Sequence, residues 1–244
     1  MRVMPLLLSC IVVLSACNRS ENAPTNTQAT SKKKLLLVTV GGKYGYIDRA
    51  GKLVVNPQYD SASEFTEGLA MVCVGPCDFE HWQGYRYTKG LETEQVEQTF
   101  KYGYIDETGK MVINPMFEGA EIFTEGLAGV CVGRACYHSR PSDKKKEDEK
   151  WGYIDKTGVI VIPPQFKSVH AFHEGFAAVS IGDKWGYIDK TGKFVINPQY
   201  DSAGDFEDGI AMAGVKIAGS DPVSEKWQYG YIDRNGKYIW QPSN

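Results

Sequence analysis

Four aromatic side chains, Phe79, Trp82, Tyr85 and Tyr87, crowd into the stretch PCDFEHWQGYRY beside His81 and Arg86. Rigid rings with polar tips give a large contact area at small entropic cost, so this pattern fits recognition of a protein segment or a glycan. The bland reading is a hairpin extension packed on the rest of the chain. Cysteines are the second chemical feature. Cys73 and Cys77 stand in VCVGPC, and Cys131 and Cys136 in VCVGRAC. In an exported domain four such residues read as two disulfides. Each pair sits at the base of its own insert, which favours Cys73–Cys77 and Cys131–Cys136. The rival Cys73–Cys131 needs Cα atoms within about 7 Å. With His81 and His138 these cysteines would also make a loosely zinc-like set. An oxidising compartment favours disulfides instead, so no metal and no cofactor is expected.

Catalytic motifs are missing from the text: it contains no GxSxG, no HExxH, no P-loop and no dinucleotide fingerprint. His170 and His173 flank Phe172 in one place only and read as surface residues. The formal net charge is −3, from 27 Lys+Arg against 30 Asp+Glu, which argues against non-specific nucleic-acid binding.

What must position these groups begins with an address. The chain opens MRVMPLLLSCIVVLSAC, one Arg and then an apolar run ending in small residues. That is the pattern of a secretory signal, too short for a stable membrane-spanning helix. Leu14-Ser15-Ala16-Cys17 resembles a bacterial lipobox. The resemblance implies a signal over 1–17, lipidation of Cys17 and a protein anchored to a membrane on the extracytoplasmic side of the cell envelope. Asn18, not Asp, follows, which in a Gram-negative host implies the periplasmic face of the outer membrane. Residues 18–34 are polar and without hydrophobic periodicity, a disordered tether.

From residue 35 to 244 the chain repeats one phrase, starting at Lys43, Lys101, Lys150, Lys184 and Gln228. Each copy holds Gly-Tyr-Ile-Asp and then a Gly three residues on. Fixed self-similarity of this kind signals stacked units, each burying a face on its neighbour. The aromatic and β-branched run reads as a strand and Asp-x-x-Gly as a tight turn. A second strand follows, expected to stop at Pro57, Pro115, Pro164, Pro198 or Pro242. An acidic residue and Gly then introduce a third strand, such as GFAAVSIG from Gly175. Residues present in every copy read as structural: Asp48, Asp106, Asp155, Asp189 and Asp233 as turn caps, and Glu67, Glu125, Glu174 and Asp208 likewise.

The phrase resembles the WG-repeat family of bacterial proteins, with Trp at Trp151 and Trp185 and Tyr in its place at Tyr44, Tyr102 and Tyr229. The resemblance implies a binding or scaffolding β-module without a catalytic set. The expected fold is all-β: about five tandem, antiparallel, three-stranded repeats in an open twisted array. Because LLLVTVG at Leu35 matches a third strand and the chain finishes after two, a closed five-unit propeller-like ring is the alternative. Copies differ by inserts after the third strand, at about 76–99, 134–149 and 217–227. Inserts at one point of a repeat emerge on one edge, the expected binding surface. The functional expectation is a lipid-anchored, non-enzymatic module that binds an envelope protein or cell-envelope glycan. An envelope glycan hydrolase and a purely structural spacer are the rivals. If Cys17 carries the anchor, Cys17→Ser releases or mislocalises the protein on membrane fractionation; an unchanged membrane fraction would refute the anchor.

Overall fold

The structure is a computed structural model and describes residues 34–75, 77, 100–132, 150–217 and 226–241. Every regular element among them is a strand, and the strands form five antiparallel sheets in chain order. Sheet 1 holds β1 (Leu36–Val40), β2 (Lys43–Ile47) and β3 (Leu53–Tyr59). Sheet 2 holds β4 (Ser61–Ala62), β5 (Leu69–Val74), β6 (Lys101–Asp106) and β7 (Met111–Phe117). Sheet 3 holds β8 (Gly119–Ala120), β9 (Leu127–Val132), β10 (Lys150–Asp155) and β11 (Ile160–Phe166). Sheet 4 holds β12 (Ser168–Val169), β13 (Phe176–Ile181), β14 (Lys184–Asp189) and β15 (Phe194–Tyr200). Sheet 5 holds β16 (Ser202–Ala203), β17 (Ile210–Lys216), β18 (Trp227–Asp233) and β19 (Tyr238–Trp240).

Several features depart from the sequence reading. Sheets 2 to 5 gain a two-residue first strand, too short to leave a period in the sequence. The repeated phrase also straddles two sheets, since its hairpin closes one sheet and its third strand belongs to the next. The proline does not end the second strand either. Pro57, Pro115, Pro164 and Pro198 lie inside β3, β7, β11 and β15, where the register shifts; Pro242 lies outside the described residues. A bulge leaves a backbone N–H unpaired, so a residue that has none is at no disadvantage there.

The glycine of the repeated phrase is explained by the same bulge. In β14, Trp185 pairs with Tyr200 and Tyr187 with Ile196, so two extra residues arch over Gly186. A Cβ on Gly186 would collide with the Ile196 carbonyl oxygen and lie 2.7 Å from the Pro198 nitrogen. The aspartates cap their turns, as read. Asp189 Oδ1 accepts the N–H groups of Thr191 at 2.9 Å and Lys193 at 3.1 Å, and Asp106, Asp155, Asp48 and Asp233 accept equivalent bonds.

Consecutive sheets share a core. Tyr46, Val55 and Tyr59 of sheet 1 pack on Ala70, Val72 and Ile105 of sheet 2, and the same pattern joins sheets 2 and 3, 3 and 4, and 4 and 5. Burying one such Tyr, Phe or Ile side chain contributes roughly 1.5–3 kcal/mol. Every joint then carries one polar fastening, and the last three carry a second. Tyr46, Tyr104, Tyr153 and Tyr187 donate their hydroxyls to the carbonyls of Ser63, Glu121, His170 and Gly204 at 2.7–2.9 Å, always 17 residues on and in the next sheet. Burial pushes these hydroxyls well above the usual tyrosine range, so they stay protonated donors.

The second fastening corrects the expectation for the acidic residues, which do more than cap their turns. Glu67, Glu125, Glu174 and Asp208 each adopt a left-handed backbone, φ 50–53°, before a glycine that does the same. That pair makes a two-residue hairpin turn, closed by Thr66 and Leu69 in the first case. The first three carboxylates reach across to the following sheet. Glu125 Oε2 accepts the Gly175 N–H at 3.0 Å and the Lys190 ammonium at 3.0 Å. Glu67 meets Gly126 and Lys156 in the same way, and Glu174 meets Gly209 and Arg234.

The array is open. β1 and β19 lie in different sheets, so neither terminal strand completes the other's sheet. The turn glycines Gly109, Gly158, Gly192 and Gly236 each abut Val55, Ile113, Ile162 or Ile196 of the preceding sheet, whereas Gly51 of sheet 1 has nothing within 4 Å.

Gly186→Val should lower stability by more than about 2 kcal/mol, read by thermal or denaturant unfolding, because backbone on the facing strand cannot move aside. An unchanged melting temperature would contradict the packing. For Glu125, burial alone would raise the carboxyl, but the Lys190 ammonium and the Gly175 N–H outweigh it and hold it below the usual range. A depressed folded value means that the joint contributes stability above the unfolded pKa of about 4.3 and loses it as pH falls through the folded value. Glu125→Gln should therefore unfold more readily than the wild type at pH 7, with the gap closing on acidification. A gap independent of pH would refute the carboxylate's role.

Candidate ligand-binding edge

All three insert positions open at equivalent places. They connect β5 to β6, β9 to β10 and β17 to β18, while the corresponding link between β13 and β14 is the short turn at Gly182-Asp183. The described residues that flank the inserts therefore lie along one edge of the array. Phe79, Trp82, Tyr85 and Tyr87 lie outside the described residues, as do His81, Cys136, His138 and Cys17. The described residues form the edge that those inserts spring from.

Cys73 is fully buried near the end of β5, paired in register with Ser61 and Tyr102. It is disulfide-bonded to Cys77, with Cα atoms 6.3 Å apart, and Phe100 and Tyr102 pack on the bridge. The start of the first insert is thereby fixed to the sheet. Cys131 occupies the equivalent place in β9, facing Trp151, and is also disulfide-bonded. Since Cys73 is bonded to Cys77, the alternative Cys73–Cys131 pairing does not form.

A cleft of about 270 Å³ opens on this edge between sheets 4 and 5. Trp185 and Trp227 supply its aromatic walls; Lys167, Asp183, Asp201 and Lys216 supply charge, and Ser168 and Ser180 hydroxyls. Its position follows from a break in the repeat. Elsewhere the strand-leading lysine pairs with the acid that follows the second strand: Lys43 with Asp60, Lys101 with Glu118, Lys184 with Asp201. In the third copy that acid is replaced by Lys167, which turns instead to Asp183 at 2.7 Å. The Lys167 ammonium holds Asp183 below the usual carboxylate range. Burial alone would raise Asp201, but the Lys184 ammonium and the Lys216 N–H at 2.9 Å outweigh it. Both carboxylates are therefore anionic at neutral pH.

The rings are held in place. Trp227 stacks on Tyr229, centroids 6.1 Å apart and planes 11° from parallel, with the Lys216 ammonium 5.2 Å from its ring centre. Trp185 meets the His170 ring edge-on at 4.9 Å, and His170 Nδ1 lies 2.9 Å from Asp205 Oδ1 of the next sheet. His173 Nε2 stands 3.7 Å from the same carboxylate. The two histidines thus brace a tryptophan and a joint rather than face one another over a substrate. Among the described residues no group of three or more His, Cys, Asp or Glu side chains is arranged to hold a metal ion.

The family profile described as WG containing repeat matches residues 44–75, 102–134, 151–185 and 185–219, together more than half of the sequence. The chain belongs to the WG-repeat family. No curated protein matches the chain. Among solved structures, one titled "Crystal structure of the eukaryotic initiation factor" aligns with 9% identity and a TM-score of 0.41, over 85% of this chain and 62% of that one. The chain thus spans under two thirds of that structure's length.

Within this WG-repeat protein, sequence reasoning locates the edge but not the cleft. Trp185 reads as a fold residue, and Trp227 and Lys167 do not stand out. The legible signal is the sign change at Lys167 where the other copies carry Asp60, Glu118 and Asp201. Since the Asp201 carboxylate takes the Lys184 ammonium and the Lys216 N–H together, Asp201→Asn should loosen both bonds. The expected outcome is weaker quenching or ordering of Trp227, read by its fluorescence against a Trp227→Phe control; an unaltered spectrum would refute the coupling.

Proposed function

We propose that this protein is a non-enzymatic binding or scaffolding module, anchored by lipid on Cys17 to the extracytoplasmic side of a membrane, whose insert-bearing edge takes a glycan of the cell envelope. Repeat families of this kind serve as binding platforms, and the cleft is the observation that carries the ligand class. Two indole faces set among fixed carboxylates, ammonium groups and hydroxyls match a sugar ring, which offers an apolar C–H face for stacking and hydroxyls at its rim. Phe79, Trp82, Tyr85 and Tyr87, outside the described residues, offer the same chemistry in the sequence of the first insert.

The Cys73–Cys77 disulfide supports an oxidising compartment, which agrees with an exported chain. Cys131 is disulfide-bonded as well, and Cys136, outside the described residues, is the partner assigned to it in this reading.

The test is binding of soluble cell-wall glycan fragments to the full chain, followed by tryptophan fluorescence and calorimetry. Trp227→Ala should weaken binding about tenfold or more, and Trp82→Ala with Tyr85→Ala and Tyr87→Ala should weaken it further. Cross-linking in intact cells serves as the second arm. A protein partner captured by the wild type and lost in the triple variant, with no glycan binding, would replace the glycan by a protein segment. Turnover of the fragments, abolished by one carboxylate substitution, would overturn the non-enzymatic reading.

A further inference from the structure

The two ends of the array are the halves of one internal joint. In sheets 1 to 4 the repeated tyrosine (Tyr46, Tyr104, Tyr153, Tyr187) is 0% exposed because the next sheet covers it; its counterpart in sheet 5, Tyr231, is 45% exposed. Trp240 is 55% exposed where its counterparts Ile113, Ile162 and Ile196 are at most 4%. Met212 and Ile210 of β17 are bare on the same face, which is the face that Met71 and Leu69 bury in sheet 2. At the other end, Leu36, Val38 and Ile47 of sheet 1 stand where sheet 2 has Ala70, Val72 and Ile105, all at 0%. Leu36 is 44% exposed. Stacked-repeat proteins ordinarily close such faces with polar capping units; neither described end sheet carries one.

Charge completes the match. At each of the last three joints an acid of one sheet meets a cation of the next: Glu67 with Lys156, Glu125 with Lys190, Glu174 with Arg234. In sheet 2, whose preceding sheet lacks the acidic turn, the cation's place is held by Glu107. Among the described residues, sheet 5 carries the next acid, Asp208, with no following sheet, and sheet 1 carries the cation, Arg49, with no preceding one. Both are exposed, and among the described residues neither side chain makes an ion pair.

We infer that sheet 5 of one copy docks on sheet 1 of a second copy, repeating the internal joint, with Asp208 of one chain meeting Arg49 of the other. The shorter aspartate is matched by the longer guanidinium, which can still bridge two oxygens. Such a contact is head-to-tail, so copies add in a line along the array axis. This surface is separate from the ligand edge and stands independently of the ligand assigned there.

The test is analytical ultracentrifugation of the full chain in mild detergent over a wide concentration range, alone and in mixtures. The wild type should associate progressively. Asp208→Arg and Arg49→Asp each set like charges against each other and should weaken association by about tenfold or more. Mixed together, the two variants alternate along the line: one kind of joint carries the ion pair with its charges exchanged, the next carries the native pair. Association should then return to the wild-type level. A wild type that stays monomeric at every concentration would overturn the inference. So would variants that associate as well as the wild type, and so would a mixture that fails to recover. Closure of the chain on itself, or cover by its own residues outside the described region, predicts that last failure.

Discussion

The bond from a buried tyrosine hydroxyl to a carbonyl 17 residues on is the constraint from which the rest of this array follows. A hydroxyl taken out of water must find a partner, and leaving one unmet costs on the order of 1–3 kcal/mol. Here the only route to that carbonyl leads through the bulged second strand and into the next sheet. The tyrosine therefore fixes the length of the linking segment and the seating of the next sheet. Its ring rests on the phenylalanine of that sheet, at 4.7–4.9 Å in Tyr46–Phe65, Tyr104–Phe123, Tyr153–Phe172 and Tyr187–Phe206. The glycine just before the tyrosine lets the bulge press close, and the aspartate after it closes the hairpin. Most of the repeated phrase serves this one joint.

Such a design separates stability from variation. The joints use residues that every copy shares, while the hairpin ends opposite the Asp turns are free to lengthen. The Cys73–Cys77 disulfide anchors one of these extensions in the sheet, and Cys131 is disulfide-bonded at the equivalent place, where the shorter copies carry Ser180 and Gly214. The cleft between sheets 4 and 5 arises where one member of a repeated ion pair changes sign. A function written on this edge can therefore change without disturbing the stack.

The fold was legible in the sequence because period, turn chemistry and strand composition agreed. Gly186 between aromatics announced close backbone approach, and Asp189 with Gly192 announced a capped turn. Other features were hidden for definite reasons. Ser61–Ala62 and its counterparts are too short to show alternation. Pro198 looks like a strand terminator until the bulge it occupies is seen. Glu125 could not be assigned beyond its own turn because its partners, Gly175 and Lys190, lie in another sheet. The cleft was missed because Trp185 belongs to the repeated phrase and Trp227 closes the third insert, and only their three-dimensional neighbours mark them out.

Hydrogen exchange of a Tyr153→Phe variant, followed peptide by peptide, tests most directly whether coupling in this array passes from neighbour to neighbour through the tyrosine joints. Faster exchange is expected, confined to β8–β15 of sheets 3 and 4, which that hydroxyl joins, with sheets 1 and 5 close to the wild type. An equal acceleration in all five sheets would contradict it, as would no change around His170, whose carbonyl would have lost its donor.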